Sequence, residues 1–447
     1  MIVGVRHAPA DRLCLPPGLE MAGGGRVNLR FGAAGARVPW VQGDDPWLSL
    51  PRPLARRLGV PLPSRLRLSW LPLRRTLRLG PAVGILVRKA PSRFGPFGPQ
   101  AAFIRELMEA ATSLGIFLYA FSPADVRWAR RRIKGYRYGE HGVWRTGPCP
   151  YPDVLWDRGF FSGAAHRRYW HTRGRLLAAR PGMKIVNAIF GNKWRVHRLL
   201  RRHPEVSQHL PHTLWCRGPA GIVSMVRRHG TAYLKPVAGA KGRGIMRVQR
   251  LASGRFRFQT ASRTCFGSLR AVAARAWKRA GRRYLVQQGI DLASPFGQPG
   301  DLRLVVQKDG RGTWQVTGGA MRVAAAGRIT SNLHRGGHAV ALEDAVRRMV
   351  GEGRYGSALA AANRLALDVA RIVEAAAGPS GEMGIDLAMD RSGRIWFLET
   401  NSKLARTVFL QLGQTEVRRK SIVRPLIWAA RQAGFAQSGD VLEGDGI

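Results

Sequence analysis

With 447 residues and 45% hydrophobic side chains, the chain exceeds one ordinary core and is too apolar to stay unfolded, so two or three globular domains are expected. Its 73 lysines and arginines face only 27 acids, a formal charge of +46 that attracts polyanions. Only ten of the cations are lysine, and the basic residues lie in short groups such as Arg130 to Arg132, without a basic tail or zinc-finger spacing; this argues against a dedicated nucleic-acid module and leaves an acidic peptide or other polyanion, or the arginine bias of a GC-rich genome, to account for the charge.

The four cysteines, Cys14, Cys149, Cys216 and Cys265, stand too far apart for a metal or redox pair, as buried thiols in a reducing compartment do. The opening MIVGVRHAPADRL lacks the apolar run of a secretory signal, and no stretch reaches the roughly eighteen apolar residues of a membrane span. The expectation is a cytoplasmic protein without a membrane span.

Residues 1–80 hold many Pro, Gly and Arg. Short apolar runs at Leu66 to Leu71 and Thr76 to Leu79 predict a small N-terminal β-rich domain with no residue that offers chemistry. At Gly80 the pattern changes. Ala82 to Val87 reads as a buried strand, and Phe103, Ile104, Leu107, Met108, Ala111 and Leu114 fall at helical spacing before the stop at Gly115. Strands at Ile116 to Phe121 and Asp153 to Asp157 complete a βαβ pattern, so 81–185 is expected to be a small parallel-sheet α/β domain.

From 186 to 432 helices and strands alternate without one rhythm, which predicts a third, α+β domain, followed by a flexible tail over 433–447. Its elements are a helix over Asn192 to Arg202, strands at Tyr233 to Pro236 and Ile245 to Val248, and strands at Tyr284 to Gln288, Leu302 to Lys308 and Trp314 to Thr317. A long helix ends near Gly378. A hairpin of Gly384 to Met389 and Ile395 to Leu398 turns at Asp390-Arg391-Ser392-Gly393.

The hairpin holds the first candidate chemistry. Counting outward from the middle of the turn sets Asp386 opposite Phe397, with Glu399 a diagonal neighbour and Asn401 two residues further on the same face. Two carboxylates and an amide oxygen then converge among Ile385, Leu387, Ile395, Phe397 and Leu398. Such hard oxygens suit Mg²⁺ held jointly with phosphate, because two like charges buried together need a cation between them. From these residues alone, a pair of solvated carboxylates at a hairpin mouth fits equally well.

A second candidate is the segment Tyr233 to Ile245. A strand delivers Lys235, and Gly239, Gly242 and Gly244 form a loop with Lys241 and Arg243. Glycines let backbone N–H groups close over phosphate oxygens, although the Gly-Lys-Ser/Thr end of a Walker A loop is missing. Lys193 opens the helix upstream, and two lysines from different elements suit a polyphosphate tail. Arg303, in Asp301-Leu-Arg303, and Arg322 suit charge developing in phosphoryl transfer. In Ser331-Asn-Leu-His-Arg-Gly-Gly337, Asn332 suits a metal or phosphate contact. His334 reads as a positioned or packed residue before a base.

Together these pieces resemble the ATP-grasp superfamily. The matching residues are Lys193, Lys235 with the 239–244 loop, Val286-Gln-Gln288, Asp301-Leu-Arg303, the Ser331–Gly337 run, and Asp386 with Glu399-Thr-Asn401. The Ser331–Gly337 run is similar to that of the ribosomal-protein-modifying glutamate ligases. Residues 80–430 resemble more closely the YheC/YheD-like group, named for spore-coat-associated proteins. The shared motifs are Leu79-Gly-Pro-Ala-Val-Gly-Ile-Leu86, Tyr151-Pro-Asp-Val-Leu-Trp-Asp-Arg158 and Thr330-Ser-Asn-Leu-His-Arg-Gly-Gly337.

The resemblance implies an α/β (α+β) ATP-grasp fold behind the two smaller domains. It implies ATP and Mg²⁺ as cofactors, with two ions, Glu399 bridging them beside Asp386 and Asn401, and Mn²⁺ able to substitute. Lys193 and Lys235 would bind the phosphates, Gln287, Gln288 and Ile290 would line the adenine hinge largely through backbone groups, and Asp301 would lie near ribose and phosphates. Arg303 and Arg322 would face the transferred phosphate, and Ser331 belongs to the same nucleotide-facing run. The implied reaction is carboxylate attack on the γ-phosphate and capture of the acyl phosphate by an amine or other nucleophile, both substrates unidentified. The alternative is a catalytically inactive relative in a spore coat or similar assembly. Two positions depart from the pattern: Thr330 replaces an arginine of the glutamate-ligase branch, and Gln288 stands where many relatives carry glutamate.

Overall fold

The computed structural model describes residues 1–8, 11–19, 21, 25–139, 142–239, 242–329, 331 and 336–440. These form two compact units. The first gathers 1–187 with 308–313 and 419–447; the second comprises 188–307 and 314–418.

The first unit begins with a closed seven-stranded barrel. Its closure follows from Ile2–Ala8, which pairs in parallel with Leu48–Pro51 and antiparallel with Ser64–Leu71. The strand Arg26–Phe31 shows the required alternation: Val27, Leu29 and Phe31 are buried, and Arg26, Asn28 and Arg30 are exposed. Beyond the barrel, Ala82–Leu86 lies between Phe117–Phe121 and Val154–Asp157 with all three parallel. The helix Ala101–Ser113 makes the crossover and buries Ile104, Leu107, Met108 and Ala111, as their spacing predicts. Residue 80 marks a change of architecture inside one packed unit, since Leu29, Phe31, Leu79, Leu86, Phe117 and Tyr119 share a single hydrophobic cluster.

The C-terminal residues correct one expectation. Residues 433–440, expected within a flexible tail, are packed: Phe435 is buried under the Arg78 guanidinium, and Asp440 is 4% exposed. Asp440 receives two 2.7 Å hydrogen bonds from Arg67, itself 1% exposed. Leu66 and Leu68 face the barrel core, so Arg67 emerges on the outer face, buried against the Leu114 and Phe435 carbonyls; a guanidinium buried there needs a carboxylate, and the chain returns to supply it. Asp440→Ala is therefore expected to destabilise the protein by about 3 kcal/mol, as a shift of the urea midpoint; an unmoved midpoint would contradict this account.

The second unit contains two antiparallel sheets. The first runs Thr213–Trp215, Tyr284–Gln288, Thr231–Pro236, Met246–Arg250, Phe256–Gln259, Thr264–Gly267. It packs on the helices Pro219–His229 and Leu269–Ala280 through Ile222, Val226, Val248, Val272 and Val286. Its last two strands were not expected, because Arg255, Arg257 and Arg263 interrupt the apolar signal. The second sheet runs His338–Ala341, Trp314–Val323, Gly300–Lys308, Glu382–Met389, Ile395–Asn401. It buries Leu304, Val306, Ile385 and Leu387 against Leu342–Val350 and the long helix Glu352–Ala377. Trp314–Val323 continues past the expected end at Thr317, which places Arg322 inside a strand.

Candidate functional site

In the second sheet the strands Trp314–Val323, Gly300–Lys308, Glu382–Met389 and Ile395–Asn401 are consecutive neighbours. They bring Arg322, Arg303, Asp386 and Glu399 together in a row. All eight residues of Glu382–Met389 are buried, and Asp386 is 3% exposed. A carboxylate there is tolerable only with charged partners. Arg303 stands directly across the ladder and grips both Asp386 oxygens: Nε donates to Oδ1, and Nη2 donates to Oδ2 at 2.7 Å. Arg322 spans two acids, its Nη2 donating to Asp386 Oδ2 at 2.9 Å and its Nε to Asp301 Oδ1 at 2.6 Å. Ser331 Oγ donates to the other Asp301 oxygen.

Burial alone would raise the pKa of Asp386, but the two arginines overcome it and hold the carboxyl well below its ordinary range. Asp301 is shifted the other way, because burial outweighs its contact with Arg322. Burial opposes the charge of Arg322, and its two carboxylate partners raise its pKa nonetheless.

The hairpin register differs from the sequence count. Asp386 lies opposite Glu399 and not opposite Phe397, which pairs with Leu387. Two irregularities cause the difference. Gly393, at φ +88°, permits a loop closed by Asp390 N–H donating to Arg394 O at 3.0 Å, and a β-bulge between Asp386 and Leu387 leaves Leu398 as the extra residue. Together they set the two carboxylates face to face. Asn401 joins them, its Nδ2 donating to Glu399 Oε1 at 3.3 Å and to Asp386 Oδ2 at 3.4 Å. Among the described residues no three His, Cys, Asp or Glu side chains gather as a metal cluster; the oxygen donors here are two carboxylates and an amide.

Two lysines from other elements lie near these carboxylates: Lys193 pairs with Glu399, and Lys235 feels Glu399, Asp301 and Asp386. Lys193 opens the helix Lys193–Leu200, capped by Asn192, whose side chain accepts from Arg195 N–H. Its Nζ lies 2.8 Å from Glu399 Oε2 and donates to Gly239 O at 3.1 Å. Lys235 donates to Gln287 Oε1 at 2.5 Å, and Gln287 Nε2 donates in turn to Thr213 Oγ1 at 2.9 Å. Burial lowers the Lys235 pKa to about 8; Glu399, Asp301 and Asp386 oppose that shift, and Lys193 adds to it.

Gly239, Gly242 and Gly244 all adopt positive φ, at +150°, +65° and +76°. At Gly244 a Cβ would meet Tyr284 Oη at 2.8 Å, so only glycine fits. Lys241 and Asn332, with Thr330 and His334, lie outside the described residues. Gln288 is committed to the sheet: its N–H donates to His212 O, and its Oε1 accepts from His212 N–H at 2.8 Å. Ile290 follows that strand, partly buried. Thr213 and Asn192 hold site residues in place; Asn192 is the first residue of the helix expected over Asn192 to Arg202, while nothing in the sequence marks Thr213.

A family model described as YheC/D like ATP-grasp matches residues 182–431. The endospore coat-associated protein YheD of Bacillus subtilis (strain 168) is 27% identical over 427 residues, covering 91% of this chain and 90% of that protein. The endospore coat-associated protein YheC of the same organism is 24% identical over 318 residues, covering 70% and 87%. Among solved structures, that of D-cycloserine synthetase DcsG is 14% identical, covers 78% of this chain and 99% of its own, and superposes with a TM-score of 0.46.

Proposed function

The chain belongs to the YheC/D-like ATP-grasp family, and from that premise we propose that it binds MgATP and activates a substrate carboxylate as an acyl phosphate for capture by a nucleophile, an amine foremost. The observation that carries the reading is the convergence of four cations, Lys193, Lys235, Arg303 and Arg322, on three carboxylates, Asp301, Asp386 and Glu399. One net positive charge in partly buried surroundings suits a polyphosphate that brings its own divalent ions.

The donor set fits Mg²⁺. Asp386, kept ionised by its arginines, faces Glu399 across the ladder, and rotation of the Asn401 amide turns its oxygen inward. Asp386, Glu399 and Asn401 would hold the metal, as one ion or two. Bound there, Mg²⁺ supplies charge neutralisation on the phosphate oxygens and orients the transferred group. The protein contributes position and charge. Lys193 and Lys235 grip phosphate oxygens, with the glycine loop at 239–244 beside them. Gln287 fixes the Lys235 ammonium, and Arg303 and Arg322 stand ready for the charge on the transferred phosphate. Gln287, Gln288 and Ile290 border the nucleotide base, and Asp301 and Ser331 position Arg322.

Calorimetric titration of ATP with and without Mg²⁺ tests the reading, followed by a screen of carboxylic acids and acidic peptides for ADP release. Magnesium-dependent binding is the expected result; a folded protein that binds no ATP would overturn the proposal. A spore-associated location is proposed from the names of the two Bacillus relatives. No described helix is long and apolar enough to cross a membrane.

Lys235 sets a pH dependence. Phosphate binding requires its proton, and in the free protein that proton leaves at about pH 8. Loss of that proton therefore makes ATP affinity fall above about pH 8, at a slope approaching roughly tenfold per pH unit for one linked proton. Folding has the opposite sign. Between about 8 and the ordinary 10.5 the unfolded chain holds the proton and the folded chain does not, so this group adds stability as pH rises. An ATP affinity that stays constant up to about pH 10 would show that Lys235 does not touch the nucleotide.

A further inference from the structure

The acids are unevenly distributed. Between Glu205 and Asp291 there is none: residues 206–290 contain 17 lysines and arginines and no aspartate or glutamate. At the chain's average of 27 in 447, a run of that length holds about five carboxylates. A genome that favours arginine raises the basic count everywhere, but it does not empty one run of acids. This run builds the six-stranded sheet and its two helices, and 13 of the 16 cations among its described residues are exposed.

The charge has a focus. Phe256–Gln259, Thr264–Gly267 and the helix Leu269–Ala280 enclose an open hollow of about 790 Å³, lined by Arg263, Thr264, Cys265, Arg275, Lys278 and Arg279 among others. Thr264–Gly267 is also the edge of the sheet, paired on one side only, with Phe256–Gln259. An edge strand offers a row of backbone donors and acceptors, which an extended polypeptide matches. Nucleic acid would ask for stacking platforms. In this lobe the one exposed aromatic among the described residues is Phe266, with the Arg255 guanidinium 5.6 Å from its ring.

We propose that this edge captures an acidic polypeptide, its backbone laid along Thr264–Gly267 and its carboxylates over Arg263, Arg275, Lys278 and Arg279. The proposal deepens the ligase reading by naming the class of substrate or substrate carrier. The capture itself needs no nucleotide, so it is measured without ATP, and its failure leaves the ATP titration untouched.

The test is fluorescence anisotropy of a labelled poly-glutamate peptide titrated with the full chain. A Gly–Ser peptide of equal length and a single-stranded DNA of equal charge serve as comparisons. Poly-glutamate is expected to bind, more weakly as salt rises, and the Gly–Ser peptide is not. The triple variant Arg275→Ala, Lys278→Ala, Arg279→Ala is expected to lose about tenfold or more in affinity with its melting temperature unchanged. Arg217→Ala, Arg227→Ala, Arg228→Ala removes the same charge elsewhere on the lobe and is expected to lose far less. Equal losses in the two triples would overturn the site in favour of diffuse attraction. DNA binding tighter than poly-glutamate would overturn the peptide in favour of nucleic acid, and absence of poly-glutamate binding would overturn the proposal outright.

Discussion

In Glu399→Gln, magnesium no longer strengthens ATP binding: the metal-dependent part of the affinity falls by roughly a hundredfold or more, because even residues one step removed from a bound metal are worth 10–100-fold. The substitution keeps the shape and removes one charge from the oxygen pair that Asp386 and Glu399 form across the ladder. The fold should not notice. The Glu399 side chain is 29% exposed, and its ion pair with Lys193, itself 23% exposed, is of the kind worth about 1 kcal/mol or less. Calorimetry with and without Mg²⁺, beside a urea denaturation curve, separates the two effects. A variant that still gains affinity from Mg²⁺ as the wild type does would remove Glu399 from the metal site.

Asp386→Ala has the reverse signature. Asp386 is 3% exposed and accepts hydrogen bonds from both Arg303 and Arg322. Its loss leaves Arg303, beside it in the register, with a buried guanidinium and no carboxylate, while Arg322 keeps Asp301. Breaking a buried pair from one side costs about 3–5 kcal/mol. The denaturation midpoint should fall accordingly, and MgATP, which protects the wild type by mass action, should protect the variant little or not at all. Unchanged stability would mean that water already satisfies these arginines. Two acids that face each other on one hairpin are thus expected to fail in different ways, one in binding and one in folding first.

The strongest sequence signals were those in which local pattern and tertiary role coincide. Ala82 to Leu86 is apolar at every second position and at every position between, and it became the fully buried centre of a parallel sheet. The helical spacing of Ile104, Leu107, Met108 and Ala111 became the buried face of the crossover helix. Asp386, Glu399 and Asn401 could be placed on one side of a hairpin by alternation, but their register could not, because it depends on one left-handed glycine and one bulge. The clasp of Arg322 on both Asp301 and Asp386 was hidden for another reason. The strand carrying Arg322 runs six residues past its apolar stretch, held there by its neighbours in the sheet. Strands Phe256–Gln259 and Thr264–Gly267 were masked because Arg257 interrupts the first, half-buried against Gln249, and the exposed Arg255 and Arg263 flank the two.

The pairing of Arg67 with Asp440 has a consequence in time. A ribosome that has just made Arg67 must add 373 residues before Asp440 exists. At roughly 5–20 residues per second, that interval is roughly twenty to seventy seconds. Throughout it the nascent barrel holds a guanidinium that has no carboxylate to meet. The part of the protein synthesised first therefore receives this partner from the part synthesised last.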